Sequence, residues 1–378
     1  MNICVISSSY PNEDGIGNTF VEQLVNAMTR LGHRCVVIAP LNTFGNDLAL
    51  KHKEHEVKVL DEGKSVDVYR PRILCRNIPY IPVSNVRHAY QKAIERTIKK
   101  ERLNIDIIYC HFFAIAILAW HYAHKHHIPL FMATGESSIS HKLQKPCWSF
   151  SWTKFKKDTK GVICVSTKNM EECIALGYAE RVKCKVFPNG ANLQLFRPLD
   201  KTTCRRQIGL KDDDFLLVTV GEFSDRKGQN RIIKAVDSMS DPKIKTCFIG
   251  RGDPIADRDY IFYKGTVSHD ELPVYLNAAD VFVLPTLREG CCNAIVEALA
   301  CGLPVISSDR SFNYDILDET NSILVDPDDV NQIAKAIKLL SEDKNKRDIL
   351  AKGALDKAMS LSIDQRASNI LNFILGKL

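Results

Sequence analysis

Short apolar runs bounded by glycine or proline alternate along this chain with stretches whose apolar residues recur every three or four positions. Residues 2–7 (NICVIS) form the first run, followed by a loop holding Gly15 and Gly17. Residues 19–31 then place Phe20, Leu24, Ala27, Met28 and Leu31 at helical spacing, Gly32 suits the helix end, and RCVVIAP is the next strand. This is one β-α-β unit with a glycine loop after its first strand. Val66–Tyr69, Ile105–Tyr109, Leu130–Ala133, Gly161–Ser166 and Lys183–Phe187 are predicted as further strands, each near a helical pattern, as a parallel sheet covered on both faces requires.

The pattern restarts after FPNGANLQLFRP, residues 187–198, whose Pro-Asn-Gly turn and Pro198 mark an interdomain connection. DFLLVTVG, KTCFIGRG, ADVFVLPT, LPVISSD and SILVD are strand candidates, with helices predicted around 228–239, around 269–278, after Gly290 and over 328–341. A last helical stripe holds Ile363, Ala367, Ile370, Ile374 and Leu378. The reading is therefore α/β: a Rossmann-like domain over 1–190, a second over 191–360, and a helix over 361–378 returning to the first. Open α/β sheets bind ligands at the carboxyl ends of their strands, which makes a central cleft between two such domains the expected site.

A length of 378 residues fits two cores, and 45% hydrophobic with 25% charged residues fits a globular chain rather than a disordered one. Thirteen scattered cysteines without a C-x-x-C pair read as buried thiols in a reducing cytoplasm. The N-terminus reads as a strand rather than a signal peptide, and no apolar run reaches membrane-spanning length. The formal charge of +6 is unevenly shared, since residues 1–195 hold 26 Lys and Arg against 17 Asp and Glu. An anionic partner of the first half, such as a phosphate-bearing acceptor or an acidic membrane, would account for this; so would a solvated basic face.

LPTLREGCCNAIVEALACGLPVISSD sets Glu289 and Glu297 eight positions apart in small, apolar surroundings. With a helix starting after Gly290, Glu289 falls in the loop and Glu297 about two turns inside. They would then be separated by up to roughly 12 Å, too far to share one metal ion. The amides of Gly290, Cys291 and Cys292 at the helix start attract phosphate. A carboxylate repels phosphate, so Glu289 suits an uncharged hydroxylated group and Glu297 a diol such as ribose. Two solvated acids would be the plain alternative.

At these residues a resemblance emerges. REGCCNAIVEALACGLPV resembles the E-x7-E region of the family-4 glycosyltransferases, retaining enzymes of the GT-B fold. SSSYPNEDGIGNTFVEQLVNAMTRLGHRCVVIAP resembles their opening strand, glycine loop and helix. FPNGANLQLFRP resembles their interdomain segment, and VGEFSDRKG their donor-phosphate segment. The resemblance implies a UDP- or GDP-sugar donor, no obligatory metal or other cofactor, and as acceptor a glycan or lipid-linked hydroxyl of a growing surface polysaccharide or glycolipid. It assigns Lys227 to the leaving diphosphate, Glu289 to the donor sugar and its oxocarbenium-like state, and Glu297 to the ribose. Gly15 and Gly17 would approach the diphosphate, and Gly265, Thr266 and Val267 would meet the base. A cytoplasmic enzyme touching the acidic inner face of the membrane is the expected setting.

Two departures qualify this. Glu222 stands where the family usually has Arg, leaving Arg226 to supply the missing charge, with Glu222 turned away or paired to it. Thr134 stands where many members carry His; His111, after its strand, matches another family His and is a substrate-contact candidate. These departures keep a second reading open, a sugar-nucleotide-binding protein that has lost turnover. His121, His124 and His127 suit a wet helix face better than a metal site. The mixture of Trp148, Phe150, Trp152 and Phe155 with Lys154, Lys156, Lys157 and Lys160 reads as an acceptor-side membrane contact or as core aromatics with exposed lysines; nucleic-acid binding is not expected. An epimerase, a phosphorylase or a nicotinamide dehydrogenase fits the motifs less well.

Overall fold

The computed structural model describes residues 1–12, 18–43, 52–60, 63–74, 83–139, 151–239 and 241–378, with residues 83–86 as backbone only. The chain divides into two compact units, one formed by Met1–Phe187 with Arg366–Leu378, the other by Pro188–Gln365.

The first unit contains β1 (Asn2–Ser7), α1 (Thr19–Arg30), β2 (Arg34–Ile38), β3 (Leu41–Asn42), β4 (His55–Val59), β5 (Ser65–Tyr69), β6 (Arg72–Ile73) and α2 (Val83–Lys100). It continues through β7 (Ile107–His111), α3 (Phe113–His126), β8 (Leu130–Thr134), α4 (Trp152–Asp158), β9 (Thr159–Cys164), α5 (Thr167–Ala175) and β10 (Cys184–Val186). Eight strands form one sheet in the order β10-β9-β8-β7-β1-β2-β5-β4. All neighbours run parallel except β4 against β5. Helices on both faces bury both sides of the central strands, which is why they read as unbroken apolar runs. Ile107, Ile108, Tyr109 and Cys110 are all fully buried.

The second unit contains α6 (Lys201–Ile208), β11 (Phe215–Val220), α7 (Gln229–Met239), β12 (Ile244–Ile249), β13 (Ile261–Gly265), α8 (Leu272–Ala278) and β14 (Val281–Leu284). After these come α9 (Asn293–Ala300), β15 (Val305–Ser308), β16 (Ser322–Val325), α10 (Val330–Glu342), α11 (Lys344–Ser360) and the start of α12 (Ile363–Leu375). Its six-stranded sheet is parallel throughout, in the order β13-β12-β11-β14-β15-β16. The order reverses between β11 and β14, and loops at such a reversal leave room for a ligand.

Some expectations shift. The strand expected at Ile105–Tyr109 runs over Ile107–His111, with the Asp106 amide donating to the Asn2 carbonyl at 2.9 Å just ahead of its first paired residue. Ile363, Ala367, Ile370 and Ile374 are buried as the stripe requires, whereas Leu378 lies beyond the helix end and is exposed. The edge strand β4 has no apolar run to announce it, since its residues alternate between exposed and half-buried. Trp152 and Phe155 belong to an aromatic cluster with Phe113 and Tyr178, so the described aromatics of that segment serve the core. Trp148 and Phe150 lie outside the described residues. His124 meets Asp158 at 2.7 Å, a carboxylate supplied from far along the chain that also accepts from the Trp120 indole at 2.7 Å.

The Pro-Asn-Gly turn has a packing reason. The Ala191 amide donates to the Leu361 carbonyl and the Ile363 amide to the Ala191 carbonyl, each at 2.9 Å, around a short parallel bridge of Ala191 with Ser362 that brings the turn against the start of α12. A Cβ on Gly190 would lie 2.9 Å from both the amide nitrogen and the Cα of Ile363. These are backbone atoms and cannot swing aside. Gly190→Ala is expected to destabilise the protein by about 1–3 kcal/mol, read as a lowered midpoint in chemical unfolding; an unchanged midpoint would contradict the close approach.

Candidate functional site

The site of the second unit begins where β14 ends. Its strand is entirely buried, and Pro285 and Thr286 turn the chain into the loop that carries Glu289. α9 begins at Asn293 with Cys292 as its N-cap, two residues later than the sequence suggests. Glu297 therefore lies just over one turn inside the helix rather than two. The loop is held by Asn189, whose side-chain amide donates to the Cys291 carbonyl at 2.9 Å.

Glu289 is nine-tenths buried, and three donors converge on its Oε1. Lys227 Nζ lies at 2.7 Å, Arg226 Nη1 at 2.9 Å and Thr286 Oγ1 at 2.9 Å. Lys227 is itself 8% exposed. Burial opposes its charge, but Cys292 and Glu289 beside it prevail and hold its pKa above the ordinary range. The Cys292 thiol, 3.9 Å from Lys227 Nζ, is pushed up by burial. Lys227 and Glu289 thus form a buried pair. Breaking such a buried pair strands one charge and is strongly unfavourable.

Lys227 is also placed from behind. Gly221, at the end of β11, has a φ of +147°, and a Cβ there would meet the Lys227 Cε at 3.2 Å. Glycine both adopts this backbone conformation and leaves room for the lysine stem. Arg226 spans two acids, reaching Glu222 Oε2 at 3.4 Å with its other terminal nitrogen. Glu222 is accordingly paired to Arg226, and Arg226 brings a second cation to Glu289.

Glu297 has a separate neighbourhood. His269 Nε2 lies 3.3 Å from its Oε1, and the Phe196 ring meets the imidazole edge-on with centroids 5.0 Å apart. The hydrogen bond to Glu297 raises the His269 pKa against the opposing effect of burial. Both glutamates therefore share one feature: Oε1 is anchored, while Oε2 has no hydrogen-bond partner among the described residues. Two acceptors are held in fixed places, with α9's first amides on the loop between them.

Gly265 ends β13 at the sheet edge and Thr266 and Val267 follow it; Tyr263 donates to the Thr266 carbonyl at 2.9 Å and Thr266 is exposed. Gly290, Cys291 and Cys292 are buried at the foot of α9. Gly15 and Gly17 lie outside the described residues. His111 belongs to the first unit. It is the last residue of β7, 2% exposed, and neither ring nitrogen has a partner among the described residues. Burial, aided by Arg366, pushes its pKa down to about 3. Thr134 is likewise fully buried, and Glu136 next to it accepts from the Gly135 amide at 2.9 Å. Sequence reasoning did not pick out Thr286, Asn189 or His269; nothing local marks them, since their partners are distant in the chain or sit on the other side of a turn.

Comparison with known proteins follows the same division. The pattern of the glycosyl transferases group 1 matches residues 200–357, and that of glycosyltransferase family 4 matches residues 17–195. TuaC of Bacillus subtilis, a protein assigned as a teichuronic acid biosynthesis glycosyltransferase, is 28% identical over 357 residues, spanning 89% of this chain and 88% of its own. An Escherichia coli UDP-Gal:α-D-GlcNAc-diphosphoundecaprenol α-1,3-galactosyltransferase is 26% identical over 341 residues, 85% of this chain and 86% of its own. Among solved structures, sucrose-phosphate synthase of Thermosynechococcus elongatus superposes with a TM-score of 0.77 at 21% identity, over 100% of this chain and 98% of that one. Anabaena HepE, solved with UDP and glucose, superposes with a TM-score of 0.73 at 17% identity, over 100% of both chains.

The His269–Glu297 pair has a pH signature. Its folded pKa lies above the ordinary 6.5, so its stabilisation is fully present below that value and fades as pH rises through the folded pKa. The side chain is 36% exposed, which limits the effect to under about 1 kcal/mol. His269→Gln should lower the melting temperature at about pH 6 and have less effect at about pH 8.5. An equal loss at both would show that the imidazole is uncharged at this site.

Proposed function

This chain belongs to the family-4 glycosyltransferases of the GT-B fold, and we propose that it transfers a sugar from a UDP- or GDP-sugar to an acceptor hydroxyl with retention of anomeric configuration. The observation that carries the reading is the pair of half-anchored glutamates on either side of a helix N-terminus, with Lys227 and Arg226 against the first. Glu289 Oε2 would accept from a donor-sugar hydroxyl and favour the positive charge that develops at the anomeric carbon. Lys227 and Arg226 would stabilise the departing diphosphate, a preorganised arrangement that needs no bound metal to supply positive charge. Glu297 would hold the ribose diol, and the backbone of residues 265–267 the base.

The acceptor is proposed to be a growing surface polysaccharide or glycolipid. Support comes from the named relatives, one assigned to teichuronic acid biosynthesis and the other acting on a diphosphoundecaprenol-linked sugar. No helix among the described residues is long and apolar enough to cross a membrane. Peripheral work at the cytoplasmic face suits such an acceptor. The second reading, nucleotide binding without turnover, draws on Glu222 beside Arg226, because an acid near a diphosphate is unfavourable unless it stays paired.

Incubation with UDP- and GDP-sugars and acceptor lipid should release nucleoside diphosphate and give a product of the donor's anomeric configuration. Glu289→Gln is expected to lose at least about 100-fold in turnover while still binding UDP or GDP, whereas Lys227→Ala should lose both. A chelator should leave turnover intact. Nucleotide binding with no product from any donor would favour the second reading, and unchanged turnover in both variants would remove the assigned roles.

A further inference from the structure

The first unit holds a groove to which the transferase reading assigns no residue. It lies between α2 and the β4–β5 edge of the sheet and has a volume of about 1030 Å³. Its lining includes Ala89, Ala93, Ile73 and the His55 ring stacked on Tyr69 at 4.4 Å. Its walls carry five permanent cations, Arg72, Lys92, Arg96, Lys99 and Lys100, against two carboxylates, Glu54 and Glu101.

The spacing on α2 is systematic. His88, Lys92, Arg96 and Lys100 recur every four residues on an exposed face, while Ile94, Thr97 and Ile98 are buried on the other. Arg72, Lys99 and Lys100 each meet a carboxylate, Glu54, Glu95 and Glu101, at 2.7–3.2 Å in exposed, readily exchanged pairs. Lys92 and Arg96 have no ion pair or hydrogen bond among the described residues. Like charges four apart repel, and for Lys92 and Arg96 no partner among the described residues offsets that cost.

Exposed apolar side chains lie in the groove and on the strand that borders it. Leu74, on the groove wall, is 77% exposed. Val57 and Val59 are 51% and 76% exposed and share the face of β4 that carries His55, because alternate strand residues point the same way. A soluble polyanion would match the cations and leave these three in water. An anionic bilayer matches both, through its phosphates and the apolar boundary beneath them.

We propose that this groove and its apolar rim dock the first unit on the headgroups of an anionic phospholipid bilayer. The assignment deepens, and rests on, the reading of a membrane-borne acceptor. It places the contact on α2 and β4, away from the aromatic segment before β9 whose described rings serve the core.

The test is sedimentation of the full chain with vesicles of phosphatidylglycerol mixed into phosphatidylcholine, and with phosphatidylcholine alone. Binding is expected to the anionic vesicles only, and to be released by salt. Each surface-facing cation is worth about five-fold, so Lys92→Ala with Arg96→Ala should weaken binding on the order of 20-fold at an unchanged melting temperature. Val59→Ser with Leu74→Ser should weaken it a few-fold. Removing the same charge from the second unit, as Lys335→Ala with Lys352→Ala, should change nothing. Equal affinity in the groove variants, equal binding to neutral vesicles, or capture of inorganic pyrophosphate without vesicle binding would overturn the proposal. Nucleotide binding by the second unit is a separate measurement, so failure here is distinguishable from failure of the transferase reading.

Discussion

The second unit's site depends on one buried ion pair, Lys227 with Glu289. Two ionised groups this far from solvent persist only with each other and with further hydrogen bonds. Thr286 and Arg226 supply those for the carboxylate. Each partner comes from a different strand end, Lys227 after β11 and Glu289 after β14, and these two strands are neighbours at the reversal of the sheet order. Topology brings the charges together, and the charges in turn fix the two loops. A site assembled this way has a preset field before any ligand arrives, the condition under which electrostatic stabilisation is most effective.

The same pair explains how a departure from the family pattern is accommodated. Glu222 brings negative charge to a place that otherwise holds a cation, but Arg226 lies between it and Glu289 and faces both. The positive charge is kept within the cluster and shifted by four residues. Glu222 remains largely in water, where its field is screened.

Much of this architecture was legible in the sequence. The buried parallel strands read as apolar runs, and glycine and proline bounded them, so most strands of both sheets stood out. The two glutamates and Lys227 were legible through motif resemblance and through the chemistry of acids flanking a helix start. The rest depended on distant partners. Asn189 reaches Cys291 across the second unit, and His269 meets Glu297 from a loop after an edge strand, contacts that no local pattern encodes. β4 escaped notice because an edge strand with one open face carries no apolar run. The burial of His111 was hidden for a related reason: the strand runs two residues further than its apolar run suggests and carries the histidine with it.

The division of the chain bears on how the protein is made. The second unit is one uninterrupted segment, whereas the first is completed by residues 366–378, which follow all of the second. Phe373 of that late segment sits close to Gly161 and Phe187. Domains generally fold in order as they leave the ribosome, but here the earlier-synthesised body waits with an uncovered apolar patch until its final helix emerges. The later-synthesised body has all its residues first. During synthesis, therefore, the nascent first unit is the one with reason to need a chaperone.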